Sequence, residues 1–423
     1  MSDHESGARR PSLLGRLGPG LITGAADDDP GGVATHSQAG ATFGLNMLWS
    51  VVLAYPLLAG IQQIVARIGR VTGHGLAANI LRTFPAWLLA ILVLLLLVAN
   101  TINIAADVAA MAAAATLIAP GVDKVIYAVG FGLVCVLLEI FMSYKRYVGV
   151  LKWLTLSLLA YVGVVFTVKI PWGEVLWRSF VPEIVLTPAF MTMVVAVFGT
   201  TISPYMFFWQ SSQEVEDLGP DPAARSLLNT PELADGELRR IRLDTWTGMA
   251  VCSLIAFFIV LTTAVTLHVN GITHIDSAAQ AAQALRPIAG DMAFWLFSLG
   301  IIGTGLLAVP VLAGSAAYAI SESFGWRMGL DRKLGQAPGF YAIIAAATLG
   351  GVALSLTDVD PIQALVWSAV LNGLVAVPIM AVAMILASRK SVMGPFVIGR
   401  TLKILGWTAT IVMAAAGVGM FLV

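Results

Sequence analysis

Asp27-Asp28-Asp29-Pro30-Gly31-Gly32 interrupts an otherwise apolar segment, residues 17–42. Each charged group held at mid-membrane depth costs at least about 2.5 kcal/mol. Pro30 removes a backbone donor and clashes with the preceding turn, and glycines tolerate non-helical angles. Irregular backbone survives at that depth only inside protein or beside a water-filled cavity. The stretch therefore predicts a membrane helix broken in its middle, with carboxylates and free carbonyls turned toward a cation. A loop between two interfacial helices is the competing reading, and it would scramble the order of every later loop.

Working outward, the chain of 423 residues is 58% hydrophobic and only 11% charged, with mean hydropathy +0.87. A soluble domain carries about 25% charged residues, so lipid must be the solvent for most of this chain. A net charge of zero argues against nucleic acid as a partner. Cys135 and Cys252 lie inside apolar runs and read as packing residues. Spans of roughly 20 residues fall at 17–42, 46–67, 85–117, 124–143, 148–169, 188–213, 243–268, 292–321, 340–357, 361–387 and 401–422. The expected fold is thus all-α, with about eleven transmembrane helices. Arg9 and Arg10 precede the first span as in a signal peptide, but no cleavage site follows an apolar core. That span is expected to stay in the membrane. Twenty of the 24 Lys and Arg residues fall in alternate loops, which predicts a cytoplasmic N-terminus and an extracytoplasmic C-terminus.

A second interruption, Gly199-Thr200-Thr201-Ile202-Ser203-Pro204-Tyr205, lies in the sixth span. Five spans separate the two breaks, and an odd number inverts topology. Residues 17–169 and 188–387 are therefore expected to form inverted five-helix repeats, after a tail at 1–16 and before an extra helix at 401–422. Interrupted helices at matching places in inverted repeats mark a transporter's central site. Its donors would be the Asp29 carboxylate and unwound carbonyls, hard oxygen ligands suited to Mg²⁺, Ca²⁺ or Mn²⁺.

In the third span Asn100, Asn103 and Asp107 share a helical face. They read either as a polar wall beside the site or as interhelical glue. His36, seven residues after Asp29, would line the entry path or pack as an ordinary histidine; Asn372 and Tyr318 are weaker cases of the same kind. Glu139 reads as a surface pair with Lys145 and Arg146. Glu214, Glu216 and Asp217 read as a solvated acidic loop.

These residues resemble the natural resistance-associated macrophage protein (NRAMP) divalent-metal transporters, from Gly18-Pro19-Gly20 through Leu405-Gly406-Trp407. That family has a LeuT-type fold. Its Gly-Pro-Gly is followed by Asp-Pro-Gly-Asn, and Gly20 and Asp29 keep the spacing. The resemblance makes Asp29 the metal-binding aspartate and puts Gly32 where the family has asparagine. In the sixth span the family's carbonyl ligand maps to Thr200, its methionine to Ser203, and its two histidines to Tyr205 and Gln210. Asp107 matches an aspartate, whereas the glutamate three residues on is Ala110, and the arginines at the start of the ninth span are missing. Metal ligands are thus expected at Asp29, Thr200 and Ser203, with Asp28, Gly32, Asn100, Asn103, Asp107, Tyr205, Gln210, His36 and Asn372 around them or along the pathway.

Losing thioether and amide leaves a harder, roomier site, which suits a partly hydrated Mg²⁺. The resemblance therefore leans to the NRAMP-related magnesium transporter branch, with Mn²⁺ or Fe²⁺ as competitors. Without the histidine, glutamate and arginines, proton coupling is doubtful. A negative-inside potential contributes about 2.3 kcal/mol per charge per 100 mV. The expected location is a bacterial inner membrane, with a divalent cation as substrate, lipid as surroundings, no cofactor and no obligate protein partner. The alternative is a sodium-coupled carrier of organic solutes with the same fold. An intramembrane protease is a third reading, but no His-Glu-x-x-His helix exists.

Overall fold

The computed structural model describes residues 23–24, 26–141, 156–219, 221–357 and 360–422. Eleven helices of 13 residues or more are present among them. These are α1 (Pro30–Phe43), α2 (Leu48–Thr72), α3 (Ala86–Ile118), α4 (Lys124–Phe141), α5 (Pro188–Thr201), α6 (Pro204–Glu216), α7 (Ala234–Thr266), α8 (Ala293–Phe324), α9 (Pro338–Ser355), α10 (Pro361–Ser388) and α11 (Arg400–Leu422).

Nine stretches among the described residues are long and apolar enough to cross a membrane. One of them, Pro30–Thr72, joins the outer half of the first predicted span to the second through a short 3₁₀ turn, Gly44–Met47. Another, Pro188–Glu216, contains both halves of the second broken helix, α5 and α6. The predicted span 148–169 overlaps residues 142–155, which lie outside the described set, as do the tail 1–16 and the start of the first span. Leu159–Val164 is the helical part of 148–169 that is described.

Proline explains where several helices begin. Pro30, Pro188, Pro204, Pro338 and Pro361 each open a helix, where a missing N–H leaves nothing unpaired. Glycine explains how closely the helices pack. A Cβ on Gly24 would lie 2.5 Å from the Gly248 carbonyl, and one on Gly40 2.3 Å from the Val260 carbonyl, so α7 braces both halves of the first broken helix. A Cβ on Gly199 would lie 2.0 Å from the Ala369 carbonyl and 2.5 Å from the Gly373 nitrogen, which presses α5 directly onto α10. In lipid such close backbone contact takes over the part played by hydrophobic burial. The outward face remains apolar, with Ile126 62% and Ile411 63% exposed.

Two sequence expectations need correction here. Gly31 and Gly32 do not supply the irregular backbone: both lie in the first turn of α1, and neither has positive φ. Of the acidic residues after the second break, Asp217 is exposed, but Glu214 and Glu216 lie on α6 and are not part of a solvated loop. Glu214 is fully buried and paired with Arg240, which also holds Glu237, and Glu237 holds Arg70 at 2.9 Å. Glu216 accepts from the Tyr318 hydroxyl and from the Asp331 nitrogen. One end of α6 is thereby tied to α2, α7 and α8.

Candidate metal site

The first break is confined to two residues. Gly24, Ala26 and Asp27 are helical, Asp28 is a bend, and Asp29 is extended at φ −70°, ψ 170°. Asp29 is the N-cap of α1: its Oδ1 accepts from the Gly32 nitrogen. That short carboxylate cap satisfies a donor that Pro30 cannot replace.

The other oxygen of Asp29 faces α3. Asn103 donates through Nδ2 to Asp29 Oδ2 at 3.2 Å and to Asp107 Oδ2 at 3.4 Å. Asn372 on α10 donates to Asn103 Oδ1 at 3.4 Å. Asn103 is therefore the centre of a chain that joins α1, α3 and α10. All four residues are at most 4% exposed. Oδ1 of Asp27, Oδ1 of Asp107 and Oδ1 of Asn372 are buried without a hydrogen-bond partner. Buried acceptors in such number are unusual, and acceptors alone are what a cation or its waters would satisfy.

The second break faces the first. Helix α5 ends at Thr201, Ile202 leaves helical geometry, and Pro204 restarts the helix. A Cβ on Gly32 would stand 3.1 Å from the Asp27 carbonyl oxygen, 3.4 Å from Asp29 Oδ1 and 3.6 Å from Thr200 Oγ1. Glycine at position 32 thus lets three oxygens from both broken helices approach one another closely. Ser203 Oγ donates to the carbonyls of Gly199 at 2.7 Å and Thr200 at 2.9 Å. It caps the end of α5 and already engages the carbonyl expected to bind metal, although each of these oxygens keeps a lone pair. Tyr205 donates to the Ala26 carbonyl at 3.3 Å, tying α6 to the part of the first helix that precedes the break.

Other expected residues fall elsewhere. Asn100 donates to the Leu312 carbonyl and to Ser315 Oγ, both at 2.8 Å, so it holds α3 to α8. Gln210 donates to Thr245 at 3.0 Å and joins α6 to α7. The His36 ring lies 2.7 Å from the Gly32 carbonyl through Nδ1, while its Nε2 is buried without a partner. Asp27 and Asp28 are buried beside Asp29 at 7% and 8% exposure. Among the described residues no three His, Cys, Asp or Glu side chains converge as a metal cluster. The aspartate trio is therefore not a three-carboxylate cage, and a cation there would lean on carbonyl, amide and hydroxyl oxygens.

Reading the sequence missed the capping role of Ser203, although serine three residues after the last free carbonyls was a usable signal. It also missed Glu322 on α8, which accepts from Ser212 on α6 and from the Ala78 nitrogen and so adds a tie at the same end as Arg240. At the opposite end a cavity of about 160 Å³ is lined by Ala34, Ser37, Ala110, Lys124 and Asp276, among others.

The chain is similar to known proteins over nearly its whole length. The family model described as natural resistance-associated macrophage protein-like matches residues 20–423. The chain is 26% identical to the divalent metal cation transporter MntH of Deinococcus radiodurans over 97% of its own length and 89% of that protein. It is 28% identical to MntH of Yersinia enterocolitica, covering 97% and 94%. Among solved structures it resembles the Eremococcus coleocola manganese transporter with TM-score 0.73 and 16% identity, covering 99% of this chain and 87% of that one. It also resembles Mhp1, a nucleobase-cation-symport-1 family transporter, with TM-score 0.56 and 15% identity, covering 96% and 92%.

Proposed function

The chain belongs to the natural resistance-associated macrophage protein-like family, and from that premise we propose that it carries divalent metal cations across a membrane through Asp29, Thr200 and Ser203. This is a family of transporters, not enzymes. The curated relatives are divalent metal cation transporters, and the solved neighbour is a manganese transporter. We lean to Mg²⁺ for this chain, with Mn²⁺ and Fe²⁺ as competitors.

One observation carries that preference: the three oxygens gathered at Gly32, Asp27 O, Asp29 Oδ1 and Thr200 Oγ1. The site offers hard oxygen donors, without the amide or thioether that would grip a dehydrated transition metal. Mg²⁺ sheds water reluctantly and usually retains several waters, so a site with few direct protein ligands fits it. In our reading the two inverted repeats, 17–169 and 188–387, rock about this site to give alternating access. The membrane is a bacterial inner membrane, the N-terminus is cytoplasmic, and the potential drives uptake. The Asn103, Asp107 and Asn372 chain holds the Asp29 carboxylate in place.

Ion flux into proteoliposomes tests the proposal. Wild type is expected to pass Mg²⁺ and, less selectively, Mn²⁺, with little change when a pH gradient is imposed. Asp29→Ala is expected to stop both. Undiminished flux in that variant would place the site elsewhere, and stabilisation by an amino acid but by no divalent ion would favour an organic solute.

A further inference from the structure

Glu139 corrects its own sequence reading: it is not on a surface. It is 4% exposed, and neither carboxyl oxygen has a hydrogen-bond partner. Lys145 and Arg146, its expected partners, lie outside the described residues. On α4 the buried positions are Ala128, Gly132, Cys135 and Glu139, a spacing that forms one helical stripe. The stripe faces the core, since a Cβ on Gly132 would lie 2.2 Å from Val352 of α9. Glu139, two turns further along the stripe, comes within electrostatic reach of Tyr341 on α9 and of Cys135 on its own helix.

The helices packed on α4 are α3, α9 and α8. Their titratable groups are Asp107 on α3, Tyr341 on α9, and Tyr318 and Glu322 on α8. None is a cation. The Tyr341 hydroxyl is already donated to the Arg332 carbonyl at 2.7 Å. On α4 itself Tyr127 is partnered with the Ala119 carbonyl. Lys124 is fifteen residues away at the other end of the helix, about 22 Å along the axis. A buried carboxylate with no donor and no cation beside it among the described residues is strongly disfavoured in its charged form. The neutral acid is tolerated there.

We propose that Glu139 is a proton-binding site of the transport cycle, separate from the metal path. It holds its proton while the seam between α3, α4 and α9 is shut, as here. It releases H⁺ to water, leaving a carboxylate, when α4 swings away and the seam is wetted. This inference rests on the transport reading, but its first test does not.

Dicyclohexylcarbodiimide adds to protonated carboxyl groups in apolar surroundings, the acid proton passing to a carbodiimide nitrogen. Labelling of the full chain in proteoliposomes, located by mass spectrometry, is expected at Glu139 under mildly acidic conditions and to fade as the medium becomes alkaline. Glu139→Gln keeps the shape and is expected to lose that label, retain Mg²⁺ or Mn²⁺ uptake, and weaken at least several-fold the dependence of its uptake rate on a bulk pH set equal on both sides of the membrane. Glu139→Asp is expected to restore a pH-dependent profile. No label at Glu139 in the wild type overturns the proposal, even should the glutamine variant fail to fold. So does a label accompanied by a wild-type pH profile in Glu139→Gln, which would make Glu139 a neutral packing residue. Absence of metal uptake in the wild type would instead overturn the transport reading and leave the labelling result standing.

Discussion

Asn103 donates one amide group to both Asp29 and Asp107, at 3.2 and 3.4 Å, across the space between α3 and the first broken helix. Two carboxylates so close to one donor hold the site ready for positive charge. Asp29 has two separable duties: one oxygen caps α1 and the other belongs to the site. Asparagine caps a helix about as well as aspartate. Asp29→Asn is therefore expected to fold normally, judged by size-exclusion profile and melting temperature. It should lose at least about tenfold in divalent-cation flux, equivalent to about 1.4 kcal/mol. A normal flux would mean that the cap, not the charge, is what Asp29 supplies.

The oxygens gathered at Gly32 make an ion-selectivity prediction. Gly32→Asn would add an amide, and its Cβ, 3.1 Å from the Asp27 carbonyl, requires a shift of a few tenths of an ångström. Combined with Ser203→Met it supplies a soft thioether, which favours transition metals. The double variant is expected to raise the Mn²⁺ to Mg²⁺ flux ratio at least about tenfold. Competition assays in proteoliposomes read that ratio directly. Ser203→Ala alone should lower the melting temperature, since it removes the cap on Gly199 and Thr200, each bond being worth about 1 kcal/mol.

Two asparagines one turn apart are expected to behave differently. Asn100→Ala removes bonds to Leu312 and Ser315 and should cost about 1 kcal/mol of stability. Its apparent affinity for the cation should stay within twofold, a margin of about 0.4 kcal/mol. Asn103→Ala should raise the KM for divalent cation, because it frees Asp29 and Asp107 to repel one another. Equal effects on KM would return both residues to the role of helix glue.

The Glu214 and Arg240 pair at the end of α6 offers a conformational test. The Glu214 side chain is fully buried and paired with Arg240. Removing one partner of a buried pair costs about 3–5 kcal/mol. Arg240→Ala is expected to loosen the junction of α6 with α7 and α2 and to shift the population toward the form open at that end. Faster labelling of a cysteine introduced at Ser212 would report it. Unchanged labelling would make the network incidental to gating.

The membrane class, the order of the spans and both broken helices were legible in the sequence. The reason is that lipid tolerates so few solutions: an apolar run of a given length must be a helix, and an aspartate trio followed by proline cannot continue one. The resemblance carried by the spacing from Gly20 to Asp29 singled out Asp29 among the three aspartates, since that spacing is local to one segment of chain. What only the tertiary structure decided is which polar groups meet. Asn100 and Asn103 share one stripe of α3, yet the rotation and crossing of that helix turn one toward α8 and the other toward Asp29. Glu139 sits on a helix whose apolar residues could equally have faced it to lipid or to water, and packing against α9 buried it. Ser203 stands where the family's thioether would be, but its short hydroxyl reaches back to the free carbonyls of α5. Helical periodicity gives the angular position of a side chain on its own helix; the neighbour at that angle is set by close backbone packing at Gly24, Gly40 and Gly199, which depends on every helix together.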